Sequence, residues 1–394
     1  MRRMISILLL ICLLAGCSKL PGLSIYDTTA NSDSTEYVTS EPDFIPAQEA
    51  MVAVSVPATT QSATAENGNV IFQYIYQTPY LTMSDADVAE KITIDLLERI
   101  DATRADADTL HAAAKANYIG SSDWTPYLYQ ITYSPSRIDH GVLSFFGQNV
   151  QYNGASHPER TGTAANYDML TGDVLTLAGI LAPGASTNVL CELVVQELNT
   201  NKDTFRLYDY FEETVGHRFA ADPIQDENFY FTQAGLCFFF DPMELAPYSS
   251  GIVHVEIPYK KLSGLLYDGY FPDEQDYATG KIIAHRHSDV KTENFTQIAE
   301  ITFDPGGEMI FLYSDTSVRN IRIEAGAWDV LGIAFSPSYT AFAAYSLTPG
   351  DAIMLETYIP DTMPNLRLSY QSQGKTLQIF ISQSGKDGSI ILYE

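Results

Sequence analysis

The chain has 394 residues, with 22 Lys+Arg against 49 Asp+Glu and a formal charge of −27. A field of that sign repels phosphate backbones, which excludes nucleic acid as a partner and favours basic proteins or cations. Hydrophobic residues make up 45% and aromatics 12%, enough apolar mass for packed cores, so a wholly disordered chain is excluded as well.

The N-terminus, "MRRMISILLLICLLAGCSKL", has a basic start at Arg2 and Arg3 and an apolar run from Ile5 to Leu14. That run is too short for a lasting membrane span and suits a signal peptide. It closes on Leu14-Ala15-Gly16-Cys17, the bacterial lipobox. The expectation is a signal peptide over 1–17, cleavage after Gly16 and a diacylglycerol on the Cys17 sulfur. The alternative is an ordinary signal peptide with an incidental cysteine. A processed chain without Arg2 and Arg3 would carry −29, tethered to the outer face of the bacterial cell membrane.

Residues 18–68 are rich in Ser, Thr, Ala, Pro and acids, as in "TTANSDSTEYVTSEPDF", and predict a disordered tether with a reach of roughly 40 Å. A first domain is expected over 69–278. "NVIFQYIYQTPYL" reads as a strand. "SDADVAEKITIDLLERI" predicts a helix capped by Ser84, with Val88, Ile92, Leu96 and Ile100 on one face, running on through "ADADTLHAAAKANY". Strands follow at "YLYQITYS", "GVLSFFGQNVQY" and "GTAANYDMLTGDVLTL". A second helix opens near Ser186, with Leu190, Leu193, Val194 and Leu198 as its stripe. "ENFYFTQAGLCFFFD" predicts a hairpin, "GIVHVEIPY" a strand and "KKLSGLL" a turn of helix. Helices and strands grouped this way predict an α+β fold, an antiparallel sheet with packed helices.

Cys12 leaves with the leader and Cys17 takes lipid, so only Cys191 and Cys237 remain to consider. Outside the cytoplasm they could pair, and buried free thiols are equally compatible with their apolar neighbours. Without a CxxC, a structural zinc site has no support. His285 and His287, two apart in "HRHSD", would share a strand face, but no third ligand is nearby, so a packed strand is favoured over a metal site. There is no nucleophile elbow and no phosphate loop.

Two stretches, "NGASHPERTGTAANYDMLTGDVLTLAGIL" and "FYFTQAGLCFFFDPMELAPYSSGIVHVEIPYKKL", resemble the paired extracytoplasmic domains of RsiV-type proteins. Those domains form the lysozyme-binding outer part of an anti-sigma factor and the N-terminal half of PdaC-type peptidoglycan deacetylases. The resemblance rests on "GASHP", on "NYDMLTGDVLTL" and on the run from Phe240 to Gly251, and spans about Asn69 to Asp268. It implies a binding role with Ser156, His157, Glu244, Pro247 and Tyr248 as candidate partner contacts and no cofactor. The sequence departs from both models. A lipobox stands where an anti-sigma factor has a transmembrane helix. "TFDPGGE" has Pro305 in place of the second aspartate of a deacetylase motif, and Lys291 stands where a second histidine would be.

For His157, restrained by Pro158, the readings are loop bracing, partner contact or catalysis, with bracing foremost. Glu244 and Tyr248 could face a basic partner, while Pro247 and Gly251 set the backbone.

Residues 279–394 change texture. "QIAEITFD", "EMIFLYSD", "VRNIRIEA", "AFAAYSL", "DAIMLETYIP", "NLRLSYQS" and "TLQIFISQS" alternate apolar and polar between turn residues, which predicts an antiparallel β-sandwich. Trp328 is either core or a sugar platform. The functional expectation is a non-enzymatic surface lipoprotein that captures a basic extracellular protein such as lysozyme. A peptidoglycan-binding module is the alternative, and a cell-wall hydrolase or deacetylase accessory comes third.

Overall fold

The computed structural model describes residues 51–121, 123–220, 228–272, 278–329, 334–359, 364–384 and 389–393. The leader, the Cys17 lipidation site and residues 18–50 of the expected tether lie outside them.

Regular structure begins well before residue 69. Ala53–Ser55 forms β1 and Ala58–Thr64 forms β2. β2 pairs antiparallel with β3 (Val70–Gln77) as an exposed edge strand. Its Thr- and Ser-rich sequence reads as linker, yet an exposed edge needs only backbone pairing and residues tolerant of extended geometry. The tether expectation is thereby corrected at its C-terminal end. β4 (Tyr80–Thr82) pairs with β1.

Helix α1 (Ala86–Ala102) buries Val88, Ile92, Leu96 and Ile100, the stripe its periodicity predicts. Its cap is Asp85, one residue after the expected Ser84, and the carboxylate accepts from the amides of Asp87 and Val88. The helix does not run on unbroken: Thr103 separates it from α2 (Arg104–Asn117), and the Thr103 hydroxyl donates to the Ile100 carbonyl at 2.7 Å. β5 (Tyr127–Ile138), β6 (Val142–Tyr152) and β7 (Glu159–Asp168) complete a five-stranded sheet in the order β2-β3-β5-β6-β7. The β3–β5 pair is parallel, because α1 and α2 form the crossover between them.

A second layer follows. Helix α3 (Thr187–Thr200) is capped by Ser186, and α4 (Lys202–Phe205) and α5 (Phe211–Ala220) come after it. β8 (Phe229–Phe231), β9 (Gly235–Phe240) and β10 (Val253–Pro258) form a three-stranded sheet closed by α6 (Tyr259–Leu262). Leu190, Val194, Leu198, Phe211, Val215 and Phe219 of the helices share a core with Leu236, Phe238 and Phe240 of β9.

The remaining strands are β11 (Ile283–Arg286), β12 (Gln297–Thr302), β13 (Glu308–Tyr313), β14 (Val318–Trp328), β15 (Phe335–Leu347), β16 (Asp351–Thr357), β17 (Leu366–Ser372), β18 (Lys375–Gln383) and β19 (Ile390–Tyr393). They build a four-stranded sheet, β11-β13-β16-β12, and a seven-stranded sheet, β19-β18-β17-β14-β15-β1-β4. The α+β portion followed by a β-sandwich is the expected fold class. Two pairs depart from the antiparallel expectation: β3 with β5 in the first portion and β12 with β16 in the sandwich run parallel.

The portions on either side of the expected boundary near residue 279 share a sheet through β1. β1 joins β15, with Ala53 opposite Ala344 and Ser55 opposite Phe342. Along this seam side chains alternate between two cores: Val52, Val54, Val56, Ala343 and Tyr345 face the helices of the first, while Met51, Ala53, Phe342 and Ala344 face the sandwich. Arg322 of β14 also donates to the carbonyls of Pro135 and Ser136 in β5. Its burial holds the guanidinium below its usual pKa.

Candidate functional site

The loop after β6 and the turn after β9, far apart in sequence, meet. Asn153 Oδ1 accepts from the Ala155 amide at 3.2 Å. Gly154 takes φ +88°, and a Cβ there would lie 3.1 Å from the Tyr127 ring. This loop leaves Ser156 and His157 exposed. The His157 ring stacks on Tyr248, with centroids 4.1 Å apart, and the Tyr248 hydroxyl donates to the Pro158 carbonyl. His157 therefore braces the loop and still presents an edge to solvent.

The turn from Asp241 to Gly251 is held from behind. Arg218 of α5 pairs with Glu244, donates to the Phe239 carbonyl at 2.7 Å and lies over the Phe240 ring. Burial lowers the Arg218 pKa, against the raising effect of Glu244. The other Glu244 oxygen accepts from the Asp241 amide at 2.9 Å. Both Glu244 oxygens therefore hold the turn together, while the side chain stays 25% exposed. Asp241 accepts from the Gly162 amide at 2.7 Å. Its burial raises its pKa, partly offset by that amide and by Arg218. Pro247 (φ −56°) and Gly251 (φ +69°) shape the turn, the backbone role expected of them.

On its outer side the turn gathers residues that sequence reading missed. The Tyr208 amide donates to the Leu245 carbonyl at 2.8 Å, and the Tyr208 hydroxyl lies 3.6 Å from the Met243 sulfur. Tyr208 stacks with Tyr210 at 5.2 Å. Ser250 donates to the Phe205 carbonyl. Met243, at φ +73°, is 59% exposed and Tyr210 is 54% exposed. Asp203, Asp209, Glu212 and Glu213 are exposed around them, against Lys202 and Arg206. The available cue was the Tyr-Asp-Tyr run just before α5, whose partners lie more than 30 residues away.

Chemically this face can bury large amphipathic rings and a soft thioether beside an acidic surplus. Among the described residues, no three His, Cys, Asp or Glu side chains are grouped to hold a metal. His285 and His287 instead pack on aromatic rings, Tyr313 at 5.9 Å and Phe311 at 5.6 Å. Cys191 and Cys237 are free. Cys191 lies on the helix side of the three-stranded sheet, whereas Cys237 lies beside Tyr230 on the opposite face, and burial pushes the Cys237 thiol up to about 12. Trp328 is half-buried, packed on Phe335 and Phe380, and donates to the Pro364 carbonyl.

Residues 179–260, from the approach to α3 to the start of α6, match the model of a family described as "Protein of unknown function (DUF3298)". Two solved structures are similar. One is a DUF3298 family member from Bacteroides fragilis, 17% identical over 55% of this chain and 94% of that chain, with a TM-score of 0.39. The other is a DUF3298 family protein from Pseudomonas aeruginosa, 18% identical over 56% of this chain and 97% of that chain, with a TM-score of 0.37. No curated protein matches the chain.

Proposed function

We propose that this protein is a non-catalytic capture module for a basic extracellular protein, displayed on the outer face of the cell membrane by a lipid on Cys17. The observation that carries the reading is the turn from Asp241 to Gly251, which stacks exposed His157 on half-buried Tyr248. The same turn holds exposed Met243 against Tyr208, itself stacked on exposed Tyr210, in a segment with exposed Asp203, Asp209, Glu212 and Glu213. Aromatic and methionine side chains are the usual anchors of protein interfaces, and rigid rings lose little entropy on binding. The net charge of −27 would steer a cationic partner and raise its on-rate at low salt. The RsiV-type resemblance of "GASHP" and of Phe240 to Gly251 makes a c-type lysozyme the first candidate.

The test is calorimetric titration of the chain from Ser18 onward with a c-type lysozyme at low and high salt. Submicromolar affinity, weakened by salt and by Tyr210→Ala or Met243→Ala, supports capture. No binding at either salt rejects lysozyme as partner. Binding that ignores all these changes rejects this face.

A further inference from the structure

We propose that the C-terminal sandwich carries a separate site for an uncharged saccharide, in the cleft beside Tyr358. The cleft measures about 320 Å³ and is lined by Gly306, Gly307, Glu308, Tyr358, Ile359 and Gln383. That is at the small end of ligand pockets, about 300–1,000 Å³, room for one or two sugar rings.

Its floor is built from a fixed loop. Asp304 accepts from the Thr357 hydroxyl at 3.2 Å and from the Tyr358 amide at 3.1 Å, which anchors the base of the tyrosine. The Gly306 amide donates to Glu356 at 2.6 Å, and the Gly307 amide donates to the Asp304 carbonyl at 2.9 Å. A Cβ on Gly307 would come within 2.5 Å of the Thr357 carbonyl group, so only glycine lets the loop lie against the end of β16. The Tyr358 side chain itself is not packed away: the residue is 71% exposed.

The wall is a planar polar network drawn from three strands. Arg286 of β11 donates in bidentate fashion to Glu308 of β13, at 2.8 and 3.3 Å, and to Gln383 of β18 at 3.3 Å. Arg286 orients both groups and neutralises the carboxylate. The Glu308 side chain remains 44% exposed, so its oxygens keep lone pairs for further donors. An aromatic face beside orientated carboxylate and amide groups matches a sugar, whose C–H face stacks on a ring while its hydroxyls donate to planar acceptors. Among the described residues that line or brace the cleft, Arg286 is the cation and it is paired with Glu308, and the net charge of the chain opposes an anion.

This site is independent of the capture face, since it involves different strands and none of the same residues. The experiment titrates the chain from Ser18 onward with N-acetylchitotriose, cellotriose and maltotriose, and with a sulfated oligosaccharide. At least one uncharged trisaccharide should bind, and Tyr358→Ala should weaken it about tenfold, the order set by one aromatic contact. Glu308→Gln should weaken it as well, which keeps the test open if Tyr358→Ala folds poorly. Tyr210→Ala should leave saccharide binding unchanged, and Tyr358→Ala should leave any lysozyme binding unchanged. Binding of none of the uncharged sugars, preference for the sulfated one, or indifference to Tyr358→Ala and Glu308→Gln would overturn the assignment.

Discussion

The His157 imidazole lies on the Tyr248 ring at 25° between planes, and the same tyrosine closes the loop by donating to Pro158. One side chain of the turn thus fixes both residues of the His-Pro pair. Tyr248→Phe keeps the stack and removes the hydrogen bond, so it should cost about 0.5–1.5 kcal/mol. Tyr248→Ala should cost more and free the loop. Urea midpoints of the two variants measure the difference.

Arg218 and Glu244 are 17% and 25% exposed at their side chains. Water reaches the pair, so Glu244→Gln should cost about 1–3 kcal/mol, less than a fully buried ion pair would lose. Replacing both, by Arg218→Met and Glu244→Gln, should recover part of the loss. A double-mutant cycle by chemical denaturation reads the coupling.

Gly162 lies under Phe239, where a Cβ would sit 2.4 Å from the ring. Both groups are part of packed sheets, so Gly162→Ala must displace one of them. The expected destabilisation is about 1–3 kcal/mol, read from the shift in thermal midpoint.

His254 sits among Phe146, Tyr230 and Phe239, with Nδ1 3.1 Å from the Tyr230 hydroxyl. Burial pushes its pKa down to about 4 from the ordinary 6.5. Above pH ~6.5 the ring is neutral folded or unfolded and contributes no pH dependence. As pH falls from ~6.5 towards 4, the unfolded chain takes up a proton that the folded one refuses, so stability drops. Below 4 the loss levels off, on the order of 3 kcal/mol at most. His254→Gln should flatten the slope of stability against pH in that window.

Cys237 is buried with its thiol pushed up to about 12, and burial raises Cys191 as well. Native protein should react slowly with a thiol reagent, Cys237 slowest, and unfolding should release both. A reductant should leave the thermal midpoint unchanged, because the two sulfurs lie on opposite faces of a sheet.

Periodicity made much of the fold legible. The stripe from Val88 to Ile100, the Leu190–Leu198 face and the alternating runs of the C-terminal part needed no partner to be recognised, since each records which side will be buried. The same logic failed for β1 and β2, and it ran β4 on from β3 as a single strand. β1 and β4 are three residues long and β2 is exposed, too short or too polar to show a period. For the candidate site, "GASHP" and the run to Gly251 stood out as motifs. The use of Glu244 did not, because its partner Arg218 is 26 residues away on a helix the sequence did not announce.

By itself the sequence determined the local geometry: turn residues at Gly154 and Gly251, caps near 85 and 186, and the helices and strands whose apolar period is long enough to show. Only the tertiary structure decided which loops share a surface and that β1 stitches two cores. Such contacts depend on the alternate faces of distant strands meeting in one sheet, and no local pattern encodes that.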